Sequence, residues 1–173
     1  MHVMLDLETL GKVPGCVILS IGAVAFDSLT VQSTFEAHID VRSSQQAGLT
    51  IDADTVMWWL RQDDAARQTL LRAEVISLNI ALLQFADWLR SRTTRIWSKG
   101  PSFDAAILGA AYRAVKFDVP WDFRNERCVR TVLDLTGIDT SSYRNAGETR
   151  HHALTDALVQ TRAVQAALQR IGR

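Results

Sequence analysis

An α/β fold, with a mixed five-stranded sheet flanked by helices, is predicted by three observations. Three strand-like apolar runs follow one another closely near the start, helical and strand patterns alternate through the middle, and the chain ends on a long helical repeat. At 173 residues and 47% hydrophobic, the chain is long enough to bury one full core, and no Pro- or Gly-rich stretch divides it. Residues 1–173 are therefore expected to form a single domain.

The elements follow in order. Residues 3–8, 17–27 and 32–40 read as strands, and the short turns between them predict an antiparallel meander. Helices are expected near 52–71 and 77–91, then a strand at 94–98. Gly100-Pro101 interrupts the chain before a helix at 102–116, for which Ser102 is the candidate N-cap and Asp104 lies in the first turn. A short strand near 121–128 and a helix near 129–136 come next. In the terminal helix Leu154, Ala157, Leu158, Thr161, Val164, Gln165, Leu168 and Ile171 keep a helical period, although Gln165 is polar. The later strands join the meander through helical crossovers, which makes the sheet mixed.

Four carboxylates and a histidine stand out against this frame. Side chains alternate along a strand, so Asp6 and Glu8 project from one face while Leu5 and Leu7 point to the other. Two carboxylates roughly 7 Å apart repel unless solvent or a cation lies between them. A solvated acidic edge is the competing explanation. Asp104 sits at a strand-to-helix turn, the end of an α/β sheet where ligands bind, although an acid in a first helical turn also serves the helix dipole. His151 precedes Asp156 by five residues, roughly 140° apart if both were helical. They converge more easily if the helix begins after His151, leaving the imidazole on a loop and Asp156 on the helix. Carboxylates from separate elements suit a pair of divalent cations about 3.5–4 Å apart, with a base to take a proton from water.

Taken together, Asp-x-Glu in the first strand, Phe103-Asp104 opening a middle helix and His151 before Asp156 resemble the DEDDh exonucleases of the DnaQ-like, RNase T-like superfamily. Longer strings at Met4–Gly11, Ile18–Asp27 and Asp54–Leu60 resemble the subgroup of exonuclease VIII-like and mycobacterial 3′-5′ exoribonuclease-like proteins. The resemblance implies a ribonuclease H-like fold and hydrolysis from the 3′ end to 5′-mononucleotides. It assigns Asp6, Glu8, Asp104 and Asp156 to two divalent metal ions, Mg²⁺ with Mn²⁺ accepted, and His151, rather than His152, to the general base. Such hard cations suit oxygen ligands, whereas the cysteines and histidines are poorly arranged for zinc. Thr9 and Leu10 match positions that relatives set against the terminal nucleotide. Phe103 offers an aromatic surface to a base, with burial as the alternative. Lys99 falls where many relatives carry a Gly-Asn-type stretch, and is a candidate phosphate contact. A homodimer is a further expectation carried by the resemblance.

Charge and composition limit the partners. Lys+Arg and Asp+Glu are equal at 19 each, a balance that favours a short 3′ tail of single-stranded RNA or DNA over a long duplex tract. Arg124, Arg127, Arg130, Arg144 and Arg150 concentrate toward the last third, and Arg144 and Arg150 flank the loop before His151. They are candidate phosphate ligands, or simply a solvated arginine loop. No apolar run is long enough to span a bilayer and no leader opens the chain, so no membrane partner and a cytoplasmic setting are expected. Cys16 and Cys128 lack a Cys-x-x-Cys spacing and are expected as reduced thiols. Trp58 and Trp59 are helix neighbours about 100° apart, so one packs inside and the other is left for a partner subunit, nucleic acid or further packing. RNA is favoured over DNA by the subgroup. An exodeoxyribonuclease and a non-catalytic nucleic-acid-binding domain of the same fold are the alternatives.

Overall fold

The computed structural model describes residues 1–71, 74–90 and 95–172. Strands β1 (His2–Thr9), β2 (Ile18–Phe26) and β3 (Val31–His38) form the expected meander, and β4 (Arg95–Ser98) and β5 (Glu126–Cys128) complete a five-stranded sheet of order β3-β2-β1-β4-β5. β1 pairs antiparallel with β2 and parallel with β4, so it is the central strand rather than a solvated edge. Position 94 of the expected fourth strand and position 91 of the second middle helix lie outside the described residues. The fifth strand is shorter than 121–128, because residues 123–125 form a 3-10 turn capped by Asp122.

Alternation along β1 sorts the core into two layers. Val3, Leu5 and Leu7 face a cluster built with α4 (Leu78–Arg90) and α5 (Asp104–Ala114), including Leu82, Phe85, Leu108 and Tyr112. Met4 faces the other cluster, with Val129 and Leu133 of α6 (Val129–Thr136) and Ala157, Val164 and Leu168 of α7 (Ala153–Arg170). Asp6 and Glu8 share Met4's face, which is therefore apolar where β1 begins and acidic where it ends. Gln165 fits α7 because its amide leaves the helix and donates to the Asp27 carbonyl at 3.0 Å.

Three local expectations are corrected. A helix α1 (Val41–Gln46) follows the meander, with the Asp40 side chain accepting from Ser43 N. The helix expected over 52–71 is two, α2 (Ala53–Leu60) and α3 (Asp64–Leu70), because Asp63 adopts extended backbone and caps α3 by accepting from Ala66 N at 2.8 Å. Ser102 does not cap α5; Phe103 holds the N-cap position without a side-chain hydrogen bond, and Asp104 is the first helical residue. Cys16 is buried, and both it and Cys128 are free thiols. No described helix is long and apolar enough to cross a membrane.

Candidate active site

The carboxylates converge because three elements end at the same place. β4 pairs with β1 only as far as Met4, which leaves the Leu7 N–H without a strand partner on that side. Asp104 Oδ1, carried in by the Gly100 turn and α5, accepts that N–H at 3.2 Å. On the other face, the first turn of α7 descends onto β2 beside β1. Gly22, which pairs with Asp6 across the strands, makes this approach possible: a Cβ there would lie 2.2 Å from the Ala153 carbonyl carbon and the Leu154 nitrogen. Asp156 follows within that turn.

The helix begins after His151, the arrangement in which His151 and Asp156 converge more easily. His152 is the α7 N-cap, its Nδ1 lying 3.3 Å from Thr155 N, while Nε2 lies 3.2 Å from Glu36 Oε1. His151 has a left-handed backbone with φ of 57°, and its N–H donates to Asp156 Oδ2 at 3.1 Å. Ligand atoms of Glu8, His151 and Asp156 all fall within 4.8 Å of one another. The loop carrying His151 is tied to α7 by Arg162, which donates to both Glu148 carboxylate oxygens at 2.6 and 3.0 Å. That fork holds the Glu148 carboxyl down to about 2.

Electrostatics set these acids apart from ordinary surface carboxylates. Burial, then the charges of Asp156 and Asp104, push Glu8 up to about 8. Asp104 is pushed to about 7 by burial, against the opposing pull of the Leu7 N–H, its own N–H and Arg130. Asp6 is raised by burial and by Asp104, Glu8 and Asp156, with the Gln160 amide acting the other way. Clustered acids that resist ionisation are the mark of a site awaiting positive charge. Their donors are all oxygens apart from the nearby imidazole, a set that fits hard divalent cations.

One neighbour of the cluster, Gln160, is not distinguished by the sequence, and two arginines meet partners the sequence does not reveal. Gln160, one turn after Asp156, donates from Nε2 to Asp6 Oδ1 at 2.6 Å; its spacing was the available signal, but it resembles an ordinary buried helix position. Arg144, expected at substrate phosphates, instead pairs with Asp156 Oδ1 and donates to the Thr149 carbonyl at 3.3 Å. Arg130, one of several basic residues of the last third, lines the cavity over the acids. A Cβ at Gly100 would lie 3.2 Å from its guanidinium, so the left-handed glycine lets Arg130 lie against the turn.

A cavity of about 690 Å³ opens over the acids and is lined by Thr9, Trp58, Lys99, Phe103, Arg130 and His151 among others. Arg150 lines an adjoining cavity that shares Asp6, Lys99, His151 and Asp156. Leu10 is partly buried: its side chain packs against the α4–α5 core, its N–H donates to the Val17 carbonyl and its carbonyl accepts from Asp52 N. Phe103 packs against that core and also edges the cavity. The tryptophans divide as expected: Trp59 is buried and donates to the Thr9 carbonyl at 2.9 Å, while Trp58 is 40% exposed at the cavity wall.

No curated protein matches the chain. Among solved structures, the nuclease domain of 3′hExo, a DEDDh family member bound to rAMP, is similar over 97% of this chain and 91% of that one, at 13% identity and a TM-score of 0.60. Exonuclease X in complex with 5′ overhanging duplex DNA is similar over 100% and 94%, at 15% identity and a TM-score of 0.64. E. coli exonuclease I in complex with a dA16 oligonucleotide covers 98% of this chain at 12% identity and a TM-score of 0.72, but the chain spans only 41% of its length. At these identities the likeness is one of fold, the ribonuclease H-like fold expected above. The family described as 3′-5′ exoribonuclease Rv2179c-like domain matches residues 1–168, and the chain belongs to this 3′-5′ exonuclease family.

Proposed function

We propose that this protein hydrolyses single-stranded RNA from the 3′ end to 5′-mononucleotides, with His151 as general base and Asp6, Glu8, Asp104 and Asp156 as metal ligands. The observation that carries the reading is the convergence of Glu8, His151 and Asp156 ligand atoms within 4.8 Å, beside the raised carboxyls of Asp6 and Asp104. Two divalent cations on these acids, Mg²⁺ or Mn²⁺, would supply the activation of water and the stabilisation of the leaving 3′ oxygen. The protein's own groups do the rest. An imidazole nitrogen of His151 accepts the proton of the attacking water, the role a loop-borne imidazole beside the acids can fill. Lys99, Arg130 and Arg150 neutralise phosphates at the cavity rim, and Thr9 and Phe103 border the terminal nucleotide. Four clustered acids facing a phosphate backbone would weaken a non-catalytic binding domain, which disfavours that alternative.

RNA is favoured by the family description and by the rAMP bound to 3′hExo. A second reading, DNA as the main substrate, is supported by the DNA bound to exonuclease X and exonuclease I. Matched 5′-labelled RNA and DNA strands of one sequence, each incubated with Mg²⁺, Mn²⁺ or EDTA, test both. A metal-dependent ladder shortening from the 3′ end, faster on RNA, is expected. Faster shortening of DNA would favour the second reading, and binding without any ladder would overturn catalysis. Asp6→Ala and Asp156→Ala should nearly abolish turnover while folding normally, and wild-type activity in either would refute the site.

A further inference from the structure

We propose that α2 and α3 form a clamp that fixes the position of His151, with Trp58 and Thr69 as positioning residues. The inference rests on the reading of His151 as the base, and concerns what holds it. A base on a loop must reach the water it deprotonates with its ring turned the right way, and a loop by itself supplies little orientation. His151 is held instead by contacts from three elements. Its N–H is taken by Asp156 of α7 at 3.1 Å, and its carbonyl lies 3.0 Å from the Thr69 hydroxyl of α3. The imidazole meets two indoles nearly at right angles, Trp58 at 5.0 Å and 85° and Trp59 at 6.0 Å and 84° between centroids and planes. These are edge-to-face distances at which aromatic rings attract.

The clamp is itself anchored. Trp59 donates to the Thr9 carbonyl, one residue past Glu8, and Trp58 packs on Trp59 at 4.9 Å and 74°. Asp52 and Asp63 cap α2 and α3, accepting from Thr55 N at 2.7 Å and Ala66 N at 2.8 Å. The metal-ligand strand and the base are thus referenced to each other through two tryptophans. The Thr69 hydroxyl also lies 2.7 Å from the Ala66 carbonyl, and one proton serves both acceptors, so Trp58 carries the larger share of the hold. This gives a use to an exposed tryptophan whose neighbour already fills the core.

Steady-state turnover of a labelled oligonucleotide by Trp58→Ala, Trp58→Phe, Thr69→Val, Thr69→Ser and His151→Ala tests the clamp. For Trp58→Ala, kcat is expected to fall about tenfold or more with KM within about twofold, a fraction of the ~10²–10⁴ that a positioned base supplies. Thr69→Val should lose about threefold, and Trp58→Phe and Thr69→Ser should recover most of the respective losses. A rise in KM at unchanged kcat for Trp58→Ala would make Trp58 a stacking surface for substrate and overturn the proposal. Near-inactive His151→Ala beside fully active Trp58 and Thr69 variants would overturn the clamp alone. Fully active His151→Ala would instead remove the base reading beneath it. An independent readout is the His151 ring-proton resonances in metal-free protein, whose ring-current shift should lose the Trp58 contribution in Trp58→Ala while that of Trp59 remains; an unchanged shift would also overturn the clamp. If Trp58→Ala does not fold, Trp58→Phe and Thr69→Val carry the test.

Discussion

Adding one methyl group at Gly22, the cross-strand partner of Asp6, should disable the site by pushing α7 off the sheet. An alanine Cβ would sit 2.2 Å from the Ala153 carbonyl carbon and the Leu154 nitrogen and 2.5 Å from the Ala153 oxygen. All three are backbone atoms of the first turn of α7, so no side chain can rotate away. Ordinary contact begins near 3.4 Å, and α7 must therefore retreat by about 1.2 Å at that end. Overpacking of this kind costs roughly 1–3 kcal/mol. The same retreat carries Asp156 away from Glu8, and a displacement of about 1 Å in a catalytic group lowers rate on the order of 10²-fold. Urea unfolding followed by tryptophan fluorescence, paired with turnover of a labelled oligonucleotide, measures both losses. Gly109→Ala is the control: within α5 its Cβ meets nothing closer than the Arg113 guanidinium at 3.4 Å, so it should gain about 0.5–1 kcal/mol from helix propensity. Wild-type stability and turnover in Gly22→Ala would refute the packing argument.

Other perturbations test the charges. Glu8 is raised from 4.5 to about 8, so the folded metal-free protein holds a proton that the unfolded chain releases across that window. Stability in EDTA should therefore fall as pH rises through it, by no more than a few kcal/mol at about 1.4 kcal/mol per pH unit. Glu8→Gln removes the penalty, and should melt higher than wild type at pH ~8 in EDTA while losing turnover; a lower melting temperature would sink the idea. Gln160→Leu deletes the 2.6 Å hydrogen bond that orients Asp6, and should weaken Mg²⁺ binding about 10–100-fold, with activity partly recovered at high Mg²⁺. Calorimetric titration with an unchanged Mg²⁺ affinity would show that Asp6 needs no such support.

Much of the site was legible because its parts are local patterns. Alternation in β1 determines that Asp6 and Glu8 share a face, and that conclusion holds whatever packs against the strand. The apolar period of residues 154–171 determines a terminal helix, and the five-residue separation favours a start after His151, as observed at Ala153. Errors arose where two local signals competed. Across residues 61–63 the helical period of residues 52–71 continues through a capping aspartate, and the cap won. At residues 102–104 serine had the chemistry of a cap, but the Gly100–Phe103 turn carried it one residue too early.

What only the tertiary structure decided is which side chains meet. Nothing local reveals that Gly22 must be small, since the reason lies 131 residues away in the first turn of α7. Nor does spacing along α7 distinguish Gln160, on Asp6, from Gln165, on the Asp27 carbonyl. Arg144 had the right chemistry for substrate phosphates, yet Asp156 holds it. The sequence by itself determined most of the elements, their buried faces and the acids available for chemistry, because backbone periodicity is a property of neighbours. The tertiary structure decided the pairings, because the distance between groups on different elements is set by how closely helices settle on the sheet.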